Sequence, residues 1–251
     1  MSAQKIFASK PWVGFDLDDT LHDFRRASAH ASTRVFETIH ASNSQISTDT
    51  VRTTYQAILR DATANAFTDG RTSREYRRER FGRLLYAHGL IDSNDFSELE
   101  NPLLDHLVEV YHNNLRESLA LKPGVLQLLQ ALHQTGRKII VITEGPADGQ
   151  EWTVQELGIR PYINFLASTN EFGRSKIDGL FGAVLATYDI TAEEIVYFGD
   201  NEVRDIQAAR KEGILAVLYD EKRESCLNDE IALRVNSWDL VEKLLINGER
   251  R

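Results

Sequence analysis

The fold is decided by the stretch Val13-Gly14-Phe15-Asp16-Leu17-Asp18-Asp19-Thr20-Leu21. A short apolar run ending in carboxylates reads as a buried strand meeting its loop. A strand turns residues i and i+2 to the same side, so Asp16 and Asp18 can reach one centre where the strand ends. Such a pair suits a hard cation such as Mg2+ and attack on phosphorus. Taken alone, the residues from Asp16 to Leu21 also describe a solvated surface turn.

Three further segments give the pair its context. Lys138-Ile139-Ile140-Val141-Ile142-Thr143-Glu144-Gly145 carries an unbroken β-branched apolar run, as in a parallel strand buried on both faces. Thr143 stands at its exit, where a hydroxyl and the following backbone N–H groups can hold a phosphate oxygen. Arg174-Ser175-Lys176-Ile177-Asp178, with Phe181, comes next. Last is Ile195-Val196-Tyr197-Phe198-Gly199-Asp200-Asn201-Glu202-Val203-Arg204-Asp205, an apolar strand running into more carboxylates.

Around these segments the pattern alternates. From Pro123-Gly124 it predicts helix 124–135, strand 137–143, helix 147–158, strand 163–167, helix 176–188, strand 195–199, helix 202–212 and strand 214–219. Ser237 is the expected N-cap of a closing helix. Such alternation means an α/β fold, a Rossmann-like doubly wound parallel sheet. Residues 23–118 instead lose all strand-like runs and predict helices near 24–41, 49–66, 72–89 and 95–118. The expected organisation is a discontinuous core, 1–22 and 119–251, interrupted by an inserted α-helical block, 23–118. In an open α/β sheet ligands bind beyond the carboxyl ends of the strands, where all four segments end, and the helical block would close over that edge.

The four ordered segments resemble the haloacid dehalogenase superfamily of phosphohydrolases, and the resemblance covers nearly the whole chain. It implies a helical C1 cap at 23–118, Asp16 as nucleophile forming an aspartyl phosphate, and Asp18 as general acid and then base. It also implies Lys176 as the cation on Asp16 and phosphate, and Mg2+ held by Asp16, the Asp18 backbone carbonyl and Asp200. Asp205 is expected to touch the ion, to orient its waters, or merely to favour a helix start. The implied activity is Mg2+-dependent hydrolysis of a small phosphorylated metabolite. A phosphomutase is the alternative; mutase members often carry Gly-Val where this chain has Asp19-Thr20. A dehalogenase is disfavoured by the intact acid pair, and a non-catalytic binding member by the filled catalytic positions.

Two positions depart from the family pattern. Ile177 stands where a Pro usually follows the Lys, and Glu144 stands where Asn is common. The Glu144 carboxylate, near a phosphate dianion, needs a cation or a donor. Its options are a cap arginine, the substrate's leaving group, or the start of the helix after Pro146. Thr72 and Glu75 have capping-box spacing, and on the helix they open Arg74, Arg77 and Arg78 share a face with Phe81, Leu84 and Leu85. These arginines are candidate substrate ligands and candidate partners of Glu144; stem packing at the cap edge explains them equally. His22 and Phe24 are expected at the pocket mouth.

At 251 residues the chain can bury a full core, and its net charge of -9 leaves no basic excess for a nucleic-acid polymer. Cys226 is the sole cysteine, so no internal disulfide is possible and a reducing compartment, the cytoplasm, is expected. No apolar run reaches the roughly 20 residues of a membrane span. Met1 to Lys10 reads as a frayed terminus, and a monomer or homodimer is expected.

Overall fold

The computed structural model of the chain describes residues 3–62, 67–96, 99–227 and 233–246. Helix α1 (Ala3–Ala8) leads into β1 (Trp12–Phe15), then α2 (Phe24–Ser42), α3 (Thr48–Ala62), α4 (Ser73–Ala87) and α5 (Pro102–Ser118). There follow α6 (Val125–Gln134), β2 (Lys138–Thr143), α7 (Ala147–Glu156), β3 (Phe165–Ser168), α8 (Thr169–Phe172) and α9 (Leu180–Tyr188). The chain ends through β4 (Ile195–Gly199), α10 (Ala208–Lys211), β5 (Leu215–Tyr219), β6 (Arg234–Val235) and α11 (Trp238–Ile246).

Among the described residues six strands form one parallel sheet in the order β3-β2-β1-β4-β5-β6. Because its strands are buried on both faces, neighbouring residues of one strand serve different cores. Ile139 and Val141 of β2 pack with Phe15, Phe198 and Trp238, whereas Ile140 and Ile142 pack with Phe181, Val184 and Tyr197. This is the doubly wound α/β fold that the alternation predicted. The chain builds outward from β1 through β2 to β3, then returns to place β4 on the other side of β1, with Phe15 opposite both Val141 and Phe198. That reversal opens a crevice at the carboxyl ends of β1 and β4, where Asp16 and Asp200 emerge.

Helices α2 to α5 enclose an apolar core of their own, built on Val35, Phe36, Ile39, Phe81, Leu84, Leu107 and Tyr111. Two linkers join it to the sheet, and they pair with each other: Lys122 N–H donates to the Leu21 carbonyl at 3.0 Å and Asp23 N–H to the Ala120 carbonyl at 3.2 Å. Among the described residues no helix is long and apolar enough to cross a membrane.

Several elements differ from the sequence expectation. The N-terminus is not frayed where described: Phe7 is fully buried, edge-on to Phe198, and the Arg137 guanidinium donates to the Phe7 and Lys10 carbonyls at 3.1 and 2.7 Å. Helix α5 starts at Pro102 rather than 95, because Asn101 Oδ1 caps Leu104 N–H at 2.9 Å and Pro suits the first turn. Residues 97–98, within that expected helix, and 63–66, at the end of the helix expected over 49–66, lie outside the described residues. The helix expected over 176–188 is split: Lys176–Asp178 make one 3-10 turn, and Gly179 at φ +82° breaks the chain direction before α9. In place of one helix over 202–212 there is a π-helical turn, Glu202–Gln207, followed by α10.

Candidate active site

The loop after β1 is shaped by its own side chains. Thr20, one turn beyond Asp16, donates its hydroxyl to Asp16 Oδ2 at 2.9 Å and accepts from Asp200 N–H at 3.1 Å, tying the ends of β1 and β4 together. Asp19 adopts φ +62° and takes Arg25 N–H on Oδ1 at 2.9 Å, so it braces the loop.

Lys176 is buried, with Nζ 2.5 Å from Asp16 Oδ1 and 2.6 Å from Asp205 Oδ1. Desolvation opposes its charge, but the two carboxylates outweigh it and hold its pKa above the usual lysine range. Asp16 is pushed well above the usual carboxylate range: burial is the main cause, Lys176 opposes it, and Asp205 and Asp18 add repulsion. Asp200, half-buried, is raised by burial and by Asp205, against the pull of Arg25.

Asp205 reaches inward because the π-helical turn widens the backbone and Gly199 has no side chain. A Cβ on Gly199 would lie 2.3 Å from Asp205 Cγ. Besides Lys176, Asp205 accepts Tyr197 OH at 3.0 Å and Asn201 N–H at 2.9 Å. With three donors on two oxygens it serves chiefly to anchor Lys176.

One oxygen each from Asp16, Asp200 and Asp205 lie within 4.8 Å of one another. Three hard oxygen donors facing a single buried ammonium leave excess negative charge, and this fits a small divalent cation such as Mg2+. The Asp18 side chain is not part of that cluster. Its Oδ1 is 2.8 Å from His22 Nε2 and its Oδ2 3.4 Å from Gln150 Nε2. Gln150 also donates to Thr143 Oγ1 at 2.8 Å. The loop after the first strand thus places Asp16 and Asp18 close together but gives them different partners.

Other expected site residues are placed differently. His22 does not line a pocket mouth; it has no exposed surface. The Gly145 N–H donates to Thr169 Oγ1 at 2.9 Å and so is engaged within the fold. Glu144 pairs with none of Arg74, Arg77 and Arg78, nor does it cap α7. Its Oε2 meets Arg204 Nη1 at 2.6 Å and its Oε1 accepts Lys176 N–H at 3.0 Å, joining the loop after β2 to the lysine turn and to the π-helical turn. The three arginines hold the helical block together. Arg74 pairs with Glu109 at 2.7 Å, Arg77 lies over the Tyr111 ring at 5.2 Å, and Arg78 binds Asp105 and the Phe96 and Leu99 carbonyls. Arg77 and Arg78 are partly buried by stem packing and ion pairs, whereas Arg74 is exposed and meets Glu109 at the surface, so the three do not form one inward stripe.

Sequence reasoning passed over Gln150, Arg204, Thr20 and Tyr197. Thr20 lies one turn after the nucleophile and could have been found from its i+4 spacing. The others reach the site only through tertiary packing.

Residues 13–219 match the family model of the haloacid dehalogenase-like hydrolases. A ribulose-1,5-bisphosphate 5-phosphatase from Halopiger xanaduensis is 26% identical over 85% of this chain and 86% of its own. A glyceraldehyde 3-phosphate phosphatase from Methanocaldococcus jannaschii is 33% identical over 43% of this chain and 47% of its own. Among solved structures, the magnesium-bound HAD-hydrolase YfnB of Bacillus subtilis superposes with TM-score 0.68 at 20% identity, covering 94% of this chain and 98% of its own. With the acid pair, the lysine and the final acids gathered at one sheet edge, this chain belongs to the haloacid dehalogenase-like hydrolases and is a phosphoric monoester hydrolase among them.

Proposed function

We propose that the chain hydrolyses a small phosphorylated metabolite through an aspartyl-phosphate intermediate on Asp16, with Mg2+ as cofactor and the cytoplasm as its compartment. The observation that carries this reading is the buried Asp16 carboxylate, 2.5 Å from Lys176 at the switch point of the sheet, with an Asp200 oxygen in the same cluster. An Asp16 oxygen attacks phosphorus as the ester P–O bond breaks, and Asp18 gives its proton to the leaving oxygen. Asp18 then takes a proton from water, the water oxygen attacks phosphorus, and the bond to Asp16 breaks to release inorganic phosphate. Lys176 neutralises Asp16 and the phosphoryl oxygens, and the Thr143 hydroxyl, buried beneath the Gln150 amide at 2.8 Å, would donate to one of them. Mg2+, held by Asp16 and Asp200, would offset the repulsion between nucleophile and phosphate.

The similar phosphatases suggest where to search for substrate: sugar bisphosphates, triose phosphates and other small esters. Phosphate release from such a panel, with Mg2+ and with chelator, tests the reading. It expects Mg2+-dependent release from at least one ester and acid-stable phosphate on wild-type protein but not on Asp16→Asn. Turnover by Asp16→Asn at the wild-type rate would discard the covalent mechanism.

A further inference from the structure

His22 is a buried imidazole without a part in the two steps above. Its Nε2 faces Asp18 Oδ1 at 2.8 Å, and its Nδ1 is buried with no hydrogen-bond partner among the described residues. A neutral ring carries one N–H and one lone pair, and the hydrogen belongs on the nitrogen that faces an acceptor. Nε2 therefore donates to Asp18 while Nδ1 keeps its lone pair. The other tautomer would set a lone pair against a carboxylate oxygen and bury an unsatisfied N–H.

The ring is held from behind. The backbone of residue 22 bridges Asp18 on one side and Leu121 on the other, within the paired linkers between sheet and helical block. Phe24 packs edge-on against the imidazole, with centroids 6.0 Å apart. On the other Asp18 oxygen, the Gln150 contact is long at 3.4 Å and the amide also serves Thr143 at 2.8 Å. The imidazole is therefore the stronger restraint on the carboxyl.

We propose that His22 is a positioning residue, whose Nε2–H pins Oδ1 of Asp18 and leaves Oδ2 as the atom that gives and takes the proton. This rests on the phosphatase reading above. Proton donation matters most when the leaving group is a poor one: an alkoxide needs the proton, whereas p-nitrophenolate departs without it. Losing the pin should therefore fall selectively on alkyl esters, and it should be read in kcat/KM, which covers aspartyl-phosphate formation. Gln places an amide N–H near the Nε2 position, and Asn places one near Nδ1, at a similar folding burden.

The experiment compares wild type, His22→Gln, His22→Asn and His22→Phe on the best alkyl ester of the panel and on p-nitrophenyl phosphate, with melting curves to verify folding. The expected result is a loss of about 10- to 100-fold in kcat/KM on the alkyl ester for Asn and Phe. The loss on the aryl ester should be several times smaller, KM should change little, and Gln should restore most of the rate. Equal losses on both esters, or Asn rescuing as well as Gln, would overturn the positioning role while leaving the phosphatase reading intact. A wild type that hydrolyses no ester would remove both. Independently of turnover, the 1H–15N spectrum of the His22 ring should show the proton on Nε2; a proton on Nδ1 sinks the proposal.

Discussion

Replacing Asp16 by asparagine should make the fold more stable as it removes turnover. The carboxylate is buried, and its raised pKa means that burial and the repulsion from Asp205 and Asp18 outweigh the attraction of Lys176. The unfolded chain ionises Asp16 in the ordinary carboxylate range, but the folded chain keeps its proton to higher pH. Stability is therefore lost as pH rises from that range through the raised value. An amide carries no charge to desolvate and keeps an oxygen for Lys176, which still pairs with Asp205 at 2.6 Å. Its NH2 then replaces Oδ2 opposite Thr20 and disturbs the 2.9 Å hydrogen bond there, at a cost of about 1 kcal/mol. The net expectation at neutral pH is a gain of about 1 kcal/mol, or ~2–4 °C in Tm for a chain of this size. Thermal melts of wild type and Asp16→Asn in chelator, from about pH 4 to 8, provide the assay. At the acid end, where Asp16 carries its proton, only the disturbed hydrogen bond remains and the variant should be less stable by about 1 kcal/mol. The difference should turn into a gain as pH rises, and Mg2+ should reduce that gain by favouring the wild-type carboxylate. A variant less stable than wild type at neutral pH in chelator would show that the Lys176 pair exceeds the burial penalty, and the reasoning would be wrong.

Asp200→Asn should weaken Mg2+ binding by tenfold or more and raise the metal requirement for phosphate release; unchanged activity in excess chelator would contradict the metal assignment. Gly199→Ala forces a Cβ to within 2.3 Å of Asp205, so it should cost about 1–3 kcal/mol and loosen the Lys176 anchor, seen as a lower Tm together with a lower kcat. Arg78→Ala removes the bonds to Asp105 and to the Phe96 and Leu99 carbonyls and should lower stability by about 2 kcal/mol, with kcat close to wild type in the folded protein. A large fall in its kcat/KM without loss of stability would restore Arg78 as a substrate ligand.

Local order along the chain was enough to specify the sheet and the acid pair. The apolar runs at Ile139–Ile142 and Ile195–Phe198 are buried on both faces, so their burial follows from composition and their parallel direction from the alternation of strands with helices. The pleat of a strand suggested that Asp16 and Asp18 would share a side, but β1 ends at Phe15 and the loop beyond it gives the two carboxylates different partners. Tertiary structure decided everything that depends on which distant atoms meet. Helical phase grouped Arg74, Arg77 and Arg78 on one face, but phase cannot say that Arg74 stays exposed beside Glu109 or that Tyr111 and Asp105 await the other two. Glu144 needed a cation or a donor, and the guanidinium it meets belongs to Arg204, 60 residues on, because a π-helical turn carries it to the loop after β2. His22 looked like a mouth residue from its place after the acid pair, yet the pairing of the two linkers turns its ring inward onto Asp18. A periodic pattern reports the environment averaged over a face, whereas a hydrogen bond depends on ångström distances between atoms that only the packed chain brings together.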